Sequence, residues 1–189
     1  MDRSDVQMST SIVRVREDGS SEFVEFTGNA AEGVNQGLEL EYARRVNDFA
    51  RIRASLGLLN SRYKGYNSPA REDLNGRDQA HAPSYQYSVS ATFGGVSDWF
   101  GDISIQGQDG FYFSDTHDFQ SDAHALINLG LGRYIGDFEA RFWIKNLFDQ
   151  EYSVRGFFFG NDPRTGYADT GWTQKGSPRQ FGMSIRKDF

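Results

Sequence analysis

Between Tyr152 and Trp172 the chain gathers Arg155, Phe157, Phe158, Phe159, Arg164, Tyr167 and Trp172. This is the stretch whose residue types best suit ligand binding. Aromatic faces beside guanidinium groups can hold an anionic or aromatic ligand, because stacking and cation–π attraction add to charge attraction. A plainer use is also open. Phe157, Phe158 and Phe159 can pack along a loop or prolong neighbouring strands into an aromatic girdle.

Other constellations carry less chemistry. His81, His117 and His124 lack the short two-histidine spacing of a zinc site, and the chain has no cysteine to complete one. They read as polar residues of loops and of the wet face, so no metal and no other cofactor is expected. Asp98, Asp102 and Asp109 offer carboxylates, but nothing in their spacing singles out an acid–base pair. No G-x-S-x-G elbow occurs, so no catalytic residue is assigned and an enzyme is not expected. The run from Gly130 to Gly136 has the wrong spacing for a phosphate loop and no helical pattern after it. Glycines that let a neighbouring strand pack closely explain it better.

The elements that would carry these residues are strands. In the last segment Phe181, Met183, Ile185 and Phe189 fall on one face and Gln180, Gly182, Ser184, Arg186 and Asp188 on the other. That alternation is the pattern of a strand between lipid and a wet lumen. From Ser84 to Gly94, Tyr85, Tyr87, Val89, Ala91 and Phe93 oppose Gln86, Ser88, Ser90 and Thr92. Between Phe138 and Phe148 the outward set is Phe138, Ala140, Phe142, Ile144 and Phe148, against inward Glu139, Arg141, Trp143 and Lys145. Leu38, Leu40 and Tyr42 oppose Glu39 and Glu41, and Ile52, Ala54, Leu56 and Leu58 oppose Arg51, Arg53, Ser55 and Gly57. Cross-strand ion pairs between the inward Glu39 and Glu41 and the inward Arg51 and Arg53 are expected. Residues 6–16, 99–112 and 123–134 are weaker strand segments. Lys187 faces outward and reads as an interfacial side chain that snorkels to water.

The connections alternate in length. Short ones fall at 44–48, 94–98 and 136–137, and long ones near 17–30, 63–83, 113–121 and 151–175. A transmembrane barrel does this, with short periplasmic turns and long extracellular loops. The expected fold is all-β: an antiparallel transmembrane β-barrel segment of about eight meandering strands. Eight can close a small barrel or form the terminal arc of a larger one.

Composition is compatible with that reading. Only 38% of the 189 residues are hydrophobic and 15% are aromatic, with 21 Gly against 4 Pro. A barrel strand exposes only every second residue to lipid, so a polar average does not exclude the membrane. The net charge of −6 comes with dispersed Lys and Arg, which argues against a nucleic-acid partner. The N-terminus shows no basic region followed by an apolar core, so no signal peptide is expected within these residues and Met1 is expected to be an internal start or boundary.

Several motifs together resemble the C-terminal part of a TonB-dependent outer-membrane receptor. Residues 29–41 look like the family's asparagine, small residue and Gly-Val-Glu strand, and residues 58–63 end in its R-Y-like sequence. Residues 73–85 are similar to its D-L-x-G…A-P loop. Asn146, Leu147, Phe148, Asp149 and Tyr152 match its N-L-F-D-x-x-Y signature, and Pro178 and Arg179 with Phe189 match its last strand. The resemblance implies that residues 1–189 are the C-terminal portion of a plugged barrel of about 22 strands. It also implies an upstream plug domain, a contact with an inner-membrane energy-transducing complex, a bacterial outer-membrane location, and uptake of a ferric siderophore, cobalamin or glycan. The alternatives are a complete small eight-stranded membrane barrel with an adhesin or structural role, and a soluble β-barrel binding protein.

Overall fold

Period-two hydrophobicity leaves each strand of this chain with one apolar and one polar face, and pairing in register merges those faces across the sheet. The computed structural model describes residues 2–3, 6–15, 21–30, 32–64, 74–94, 98–115, 117–160 and 162–187. The strands are β1 (Asp2–Arg3), β2 (Val6–Val15), β3 (Ser21–Ala30), β4 (Glu32–Arg45), β5 (Ala50–Lys64) and β6 (Tyr85–Phe93). They continue with β7 (Trp99–Gln108), β8 (His124–Ile135), β9 (Phe138–Lys145), β10 (Ser153–Phe159), β11 (Thr170–Lys175) and β12 (Gln180–Lys187). No described helix is long and apolar enough to cross a membrane, which says nothing about strands.

An eight-stranded antiparallel sheet runs in the order β1-β4-β5-β6-β7-β8-β9-β12, and among the described residues it is open at both edges. Strands β2 and β3 form a separate hairpin, as do β10 and β11. Two expectations need correction. Of the segment expected at 6–16, Val6–Val15 is a strand but does not join the main sheet, because it pairs with Ser21–Ala30, and residue 16 lies outside the described residues. Much of the long connection expected at 17–30 is therefore strand β3, in whose sequence Phe23, Val24 and Phe26 lack a clean period of two. Phe189 lies outside the described residues.

The registers line up complete rows. One apolar row reads Ile52, Ala91, Ile103, Leu129, Ile144, Phe181, and the next reads Ala50, Phe93, Gly101, Leu131, Phe142, Met183. Intervening polar rows read Glu41, Ser55, Ser88, Gln106, Leu126, then Ala43, Arg53, Ser90, Ser104, Asn128. At four strand glycines a ring from the neighbour covers the gap: Tyr87 lies on Gly107, Phe93 on Gly101, Phe100 on Gly132 and Trp143 on Gly182. The rings replace the missing side-chain contact and pin the register.

The expected ion pairs between β4 and β5 do not form. Register sets Glu39 opposite Gly57 and Glu41 opposite Ser55, while Arg53 faces Ala43 and Arg51 faces Arg45. Acids and bases therefore occupy different rows. Phe148 also departs from expectation: strand β9 stops at Lys145, so Phe148 sits beyond the alternation although it is exposed.

Burial is inverted relative to a soluble sandwich. Among the described residues the buried hydrophobics are Tyr63, Leu74, Phe111 and Phe113, all at one end of the sheet. The apolar face itself is open, with Phe181 71%, Met183 69% and Ile185 64% exposed. A contiguous apolar face of this extent calls for apolar surroundings.

Turn chemistry decides which end carries long connections. The short links are 46–49, 94–98 and 136–137. In the first, Asn47 Oδ1 accepts hydrogen bonds from the backbone of Phe49 at 2.9 Å and Ala50 at 2.7 Å. Gly136, with φ 60°, takes the left-handed position of the third. In a meander all short links fall on one end, so the connections 65–84, 109–123 and 146–179 converge on the other.

Candidate functional site

Among the described residues, the buried hydrophobic side chains cluster where these connections converge. Arg77 holds two of the connections together. Its guanidinium donates to the carbonyls of Asp115 at 2.8 Å, Ser114 at 3.0 Å and His117, pairs with Asp118 at 3.6 Å, and lies 3.9 Å from the centre of the Tyr112 ring. Only 9% of this side chain is exposed. Charge-assisted bonds to several carbonyls offset the desolvation of a buried cation. His81 adds a backbone bond to the Tyr112 carbonyl and packs its ring on Phe111.

The hairpin β10–β11 rests on this layer. Gly156 and Gly171 leave room for the rings of Phe113 and Phe119, and Phe158 lies 5.5 Å from the His117 ring and 6.4 Å from Phe119. His117 Nδ1 accepts the backbone N–H of Phe119 at 3.2 Å, holding the underlying loop in shape.

Alternation along β10 then splits the expected ligand set. Phe158 faces His117 and Phe119 and is itself 45% exposed, while Arg155, Phe157, Phe159 and Trp172 share the other face through the pairs Phe157↔Trp172 and Phe159↔Thr170. On that face Arg155 lies 5.5 Å from the Phe157 ring, and Trp172 donates its indole N–H to the Phe159 carbonyl at 3.3 Å. The three rings are 43–46% exposed. Arg164 sits instead in a 3-10 turn, Pro163–Thr165, with its guanidinium on Asp162 at 2.8 Å. The pairing lowers the Asp162 carboxyl below its usual range and raises Arg164, in each case through their mutual hydrogen bond. Tyr167 follows that turn with φ 62° and is 64% exposed. The structure thus places four of the seven residues on one open face and Phe158 on the opposite one, beside His117 and Phe119.

The N-L-F-D-x-x-Y segment is a strand-end staple. Asn146 is buried, and its amide donates to the carbonyls of Gln150 at 2.9 Å and Ser177 at 3.2 Å while its oxygen accepts from the Gln150 backbone at 2.9 Å. Asn146 N–H in turn donates to Asn128 Oδ1 at 3.0 Å, and Leu147 N–H donates to the Ile127 carbonyl at 2.8 Å. Asp149 accepts the Arg179 backbone N–H at 2.7 Å, next to Pro178 in the segment entering β12. Tyr152 stacks on His124 at 4.6 Å and covers Gly176. Asn146 and Asp149 take φ of 50° and 54°, a region where Asn and Asp are the favoured non-glycine residues. Asn146, Leu147 and Asp149 of this motif join β8, β9 and the segment entering β12.

The other flagged groups scatter. Each histidine lies against an aromatic ring, His81 on Phe111, His117 on Phe119 and Phe158, His124 on Tyr152. Asp98 approaches Arg133 at 4.0 Å, Asp102 pairs with Arg141, and Asp109 accepts from Ser84. Sequence reading missed Arg77, Tyr112, Phe113 and Phe119 as organisers of the site. The aromatic run 111–113 inside a long connection was the available signal.

No family model matches the chain. Solved structures do. Over 87% of its length the chain superposes on the ferric yersiniabactin uptake receptor FyuA from Yersinia pestis, with TM-score 0.70 and 17% identity, covering 25% of that protein. The siderophore receptor PiuA from Acinetobacter baumannii matches over 84% of the chain and 22% of its own, with TM-score 0.65 and 14% identity. The copper transporter OprC matches over 97% and 28%, with TM-score 0.65 and 15% identity. The chain has the fold of one segment of these uptake receptors. It spans about a quarter of the length of the structures it matches. This agrees with the resemblance carried by Asn146, Asp149, Tyr152 and Arg179, and the neighbours are receptors and transporters, not enzymes.

Proposed function

We propose that this chain is the C-terminal wall segment of an outer-membrane β-barrel receptor that takes up a scarce, large nutrient by energy coupling. The single observation that carries the reading is the two-faced sheet: an unbroken apolar face from Leu40 to Met183, a polar face opposite, and every long connection at one end. Its surroundings are then lipid on the apolar side and a wet lumen on the polar side. The partners are the outer-membrane lipid, the remaining strands and plug domain of the receptor, and an inner-membrane energy-transducing complex reached through the upstream part. No nucleic acid is involved.

The face bearing Arg155, Phe157, Phe159 and Trp172 is the ligand-contacting surface, and an anionic chelate with aromatic groups suits it best. The names of the fold neighbours favour a ferric siderophore over cobalamin or a glycan.

The chain contains no cysteine, so single cysteines report topology cleanly. In intact cells carrying the full-length gene, a membrane-impermeant maleimide should label Phe157→Cys, reach Asn47→Cys only after permeabilisation, and leave Phe142→Cys unlabelled. Equal labelling at Phe142 and Phe157 would overturn the membrane reading in favour of a soluble binding protein. Growth of a deletion strain on iron, cobalamin and glycan sources, restored with wild type or Trp172→Ala, then assigns the ligand. Growth unaffected on every source points to a structural or adhesin role.

A further inference from the structure

The apolar face carries cations at its short-turn end. Arg44 of β4, Arg133 of β8 and Lys187 of β12 share the face of Leu40, Leu131 and Ile185, each within the last three residues of its strand. A cation on the lipid side of a strand is costly at mid-depth and nearly free at the interface. Two of the three are seated on rings. The Arg133 guanidinium lies 5.3 Å from the centre of the Trp99 ring, and the Lys187 ammonium lies 5.3 Å from that of Phe138. Register sets Arg133 between Trp99 and Ala140, and Lys187 opposite Phe138. Strands β8 and β12 thus hold the two cations astride β9, about 10 Å apart across the sheet, a gap that two long side chains can close. Between them Ala140 is a low point in the face, flanked by Ile185 and followed along β9 by Phe142. Asp98 approaches Arg133 at 4.0 Å, but with 48% and 70% of the two side chains exposed it holds the arginine only weakly.

We infer that Arg133 and Lys187 clamp the phosphate of an anionic phospholipid headgroup, with an acyl chain running over Ala140 toward Phe142. The inference rests on the membrane reading above and adds to it the class of lipid. One phosphate accepts charge-assisted hydrogen bonds from both cations, and two positive charges around it favour a headgroup that has no ammonium of its own. The rings of Trp99 and Phe138 restrict the cations before the lipid arrives, which lowers the cost of ordering them. Arg44 stands four strands away from Arg133 and takes no part in the clamp.

The test uses the full-length protein in phosphatidylethanolamine vesicles doped with a photoactivatable phosphatidylglycerol or, separately, a photoactivatable phosphatidylethanolamine. Labelled peptides are identified by mass spectrometry. Phosphatidylglycerol should label residues 131–142 more strongly than phosphatidylethanolamine does. That yield should fall about ten-fold or more in Arg133→Gln/Lys187→Gln and stay within about two-fold in Arg133→Lys and in Arg44→Gln. Equal labelling by the two lipids overturns the inference, as does a yield unchanged in the double variant when the protein retains its β-sheet circular dichroism. A loss just as large in Arg44→Gln also overturns it, because the effect is then one of diffuse surface charge. Labelling around Val89, on the same apolar face, reports the membrane assignment separately. Lipid there without selectivity at 131–142 removes the headgroup site alone, and lipid at neither place removes both readings.

Discussion

Arg141 of β9 reaches across β8 at Gly130 to bind Asp102 of β7 at 2.5 Å, a contact between strands that are not neighbours. A Cβ at position 130 would lie 2.5 Å from Asp102 Oδ1 and 2.7 Å from Arg141 Nη2. The glycine is thus the gap through which the pair forms, and it ties three strands on the polar face.

Gly130→Ala should break that pair and destabilise the sheet by about 1–2 kcal/mol. The bridge itself, with both partners more than a third exposed, contributes less than about 1 kcal/mol. In a double-mutant cycle with Asp102→Ala, the cost of Gly130→Ala should shrink, with coupling of about 0.5 kcal/mol or more. Strict additivity in thermal unfolding would show that the glycine serves something other than the bridge.

Asn146→Ala removes two donated bonds and one accepted bond at a buried site and leaves alanine at φ 50°. Expected destabilisation is about 2–3 kcal/mol. Asn146→Gly keeps the conformation but not the bonds, so it should recover only part of the loss. Denaturant midpoints of the three proteins decide this.

Arg77→Ala leaves the carbonyls of Ser114, Asp115 and His117 without their shared donor. The connection 109–123 should open locally at a cost lowered by about 2 kcal/mol, so limited proteolysis there speeds up roughly 30-fold. Because Phe113 and Phe119 support the hairpin, Trp172 fluorescence should shift to the red in the same variant.

The two faces of β6 should respond oppositely to charge. Val89→Arg places a cation on the apolar face and should cost about 2–4 kcal/mol in a bilayer, whereas Ser88→Arg on the polar face should cost less than about 1 kcal/mol. Equal costs in lipid-based unfolding would contradict the membrane assignment.

Asp162 is lowered by its hydrogen bonds from Arg164, so its contribution to the 3-10 turn is present above the ordinary carboxylate range. That contribution is lost as pH falls through the depressed value. Asp162→Asn should remove this pH response and free Arg164. If Arg164 takes part in anion capture, ligand affinity at neutral pH rises in Asp162→Asn, and an unchanged affinity assigns Arg164 to the turn alone.

Most of the sheet was legible in the sequence. Alternation at Tyr85–Phe93, Phe138–Lys145 and Gln180–Lys187 follows from side chains pointing to opposite faces at successive residues, and Asn47, Gly136 and Asp137 announced their turns. The glycines at 130 and 132 were read correctly as close-packing positions. The motif around Asn146 was recognisable as a pattern, although its work as a staple to Ser177 and Asn128 was not.

What the chain's own order of residues determined is therefore what depends on covalent period and local turn propensity: strands β4 to β9 and β12, their two faces and the end that carries the long connections, but not β3, β10 and β11, which lie within stretches expected to be connections. Only the tertiary structure decided which rows meet. The register sets Arg53 opposite Ala43, two residues from Glu41 and four from Glu39, and alternation within β10 turns Phe158 away from Phe157 and Phe159. Register and loop packing are set by contacts between residues distant in the chain, such as Arg77 with Asp115 and Asn146 with Ser177, so no local pattern encodes them.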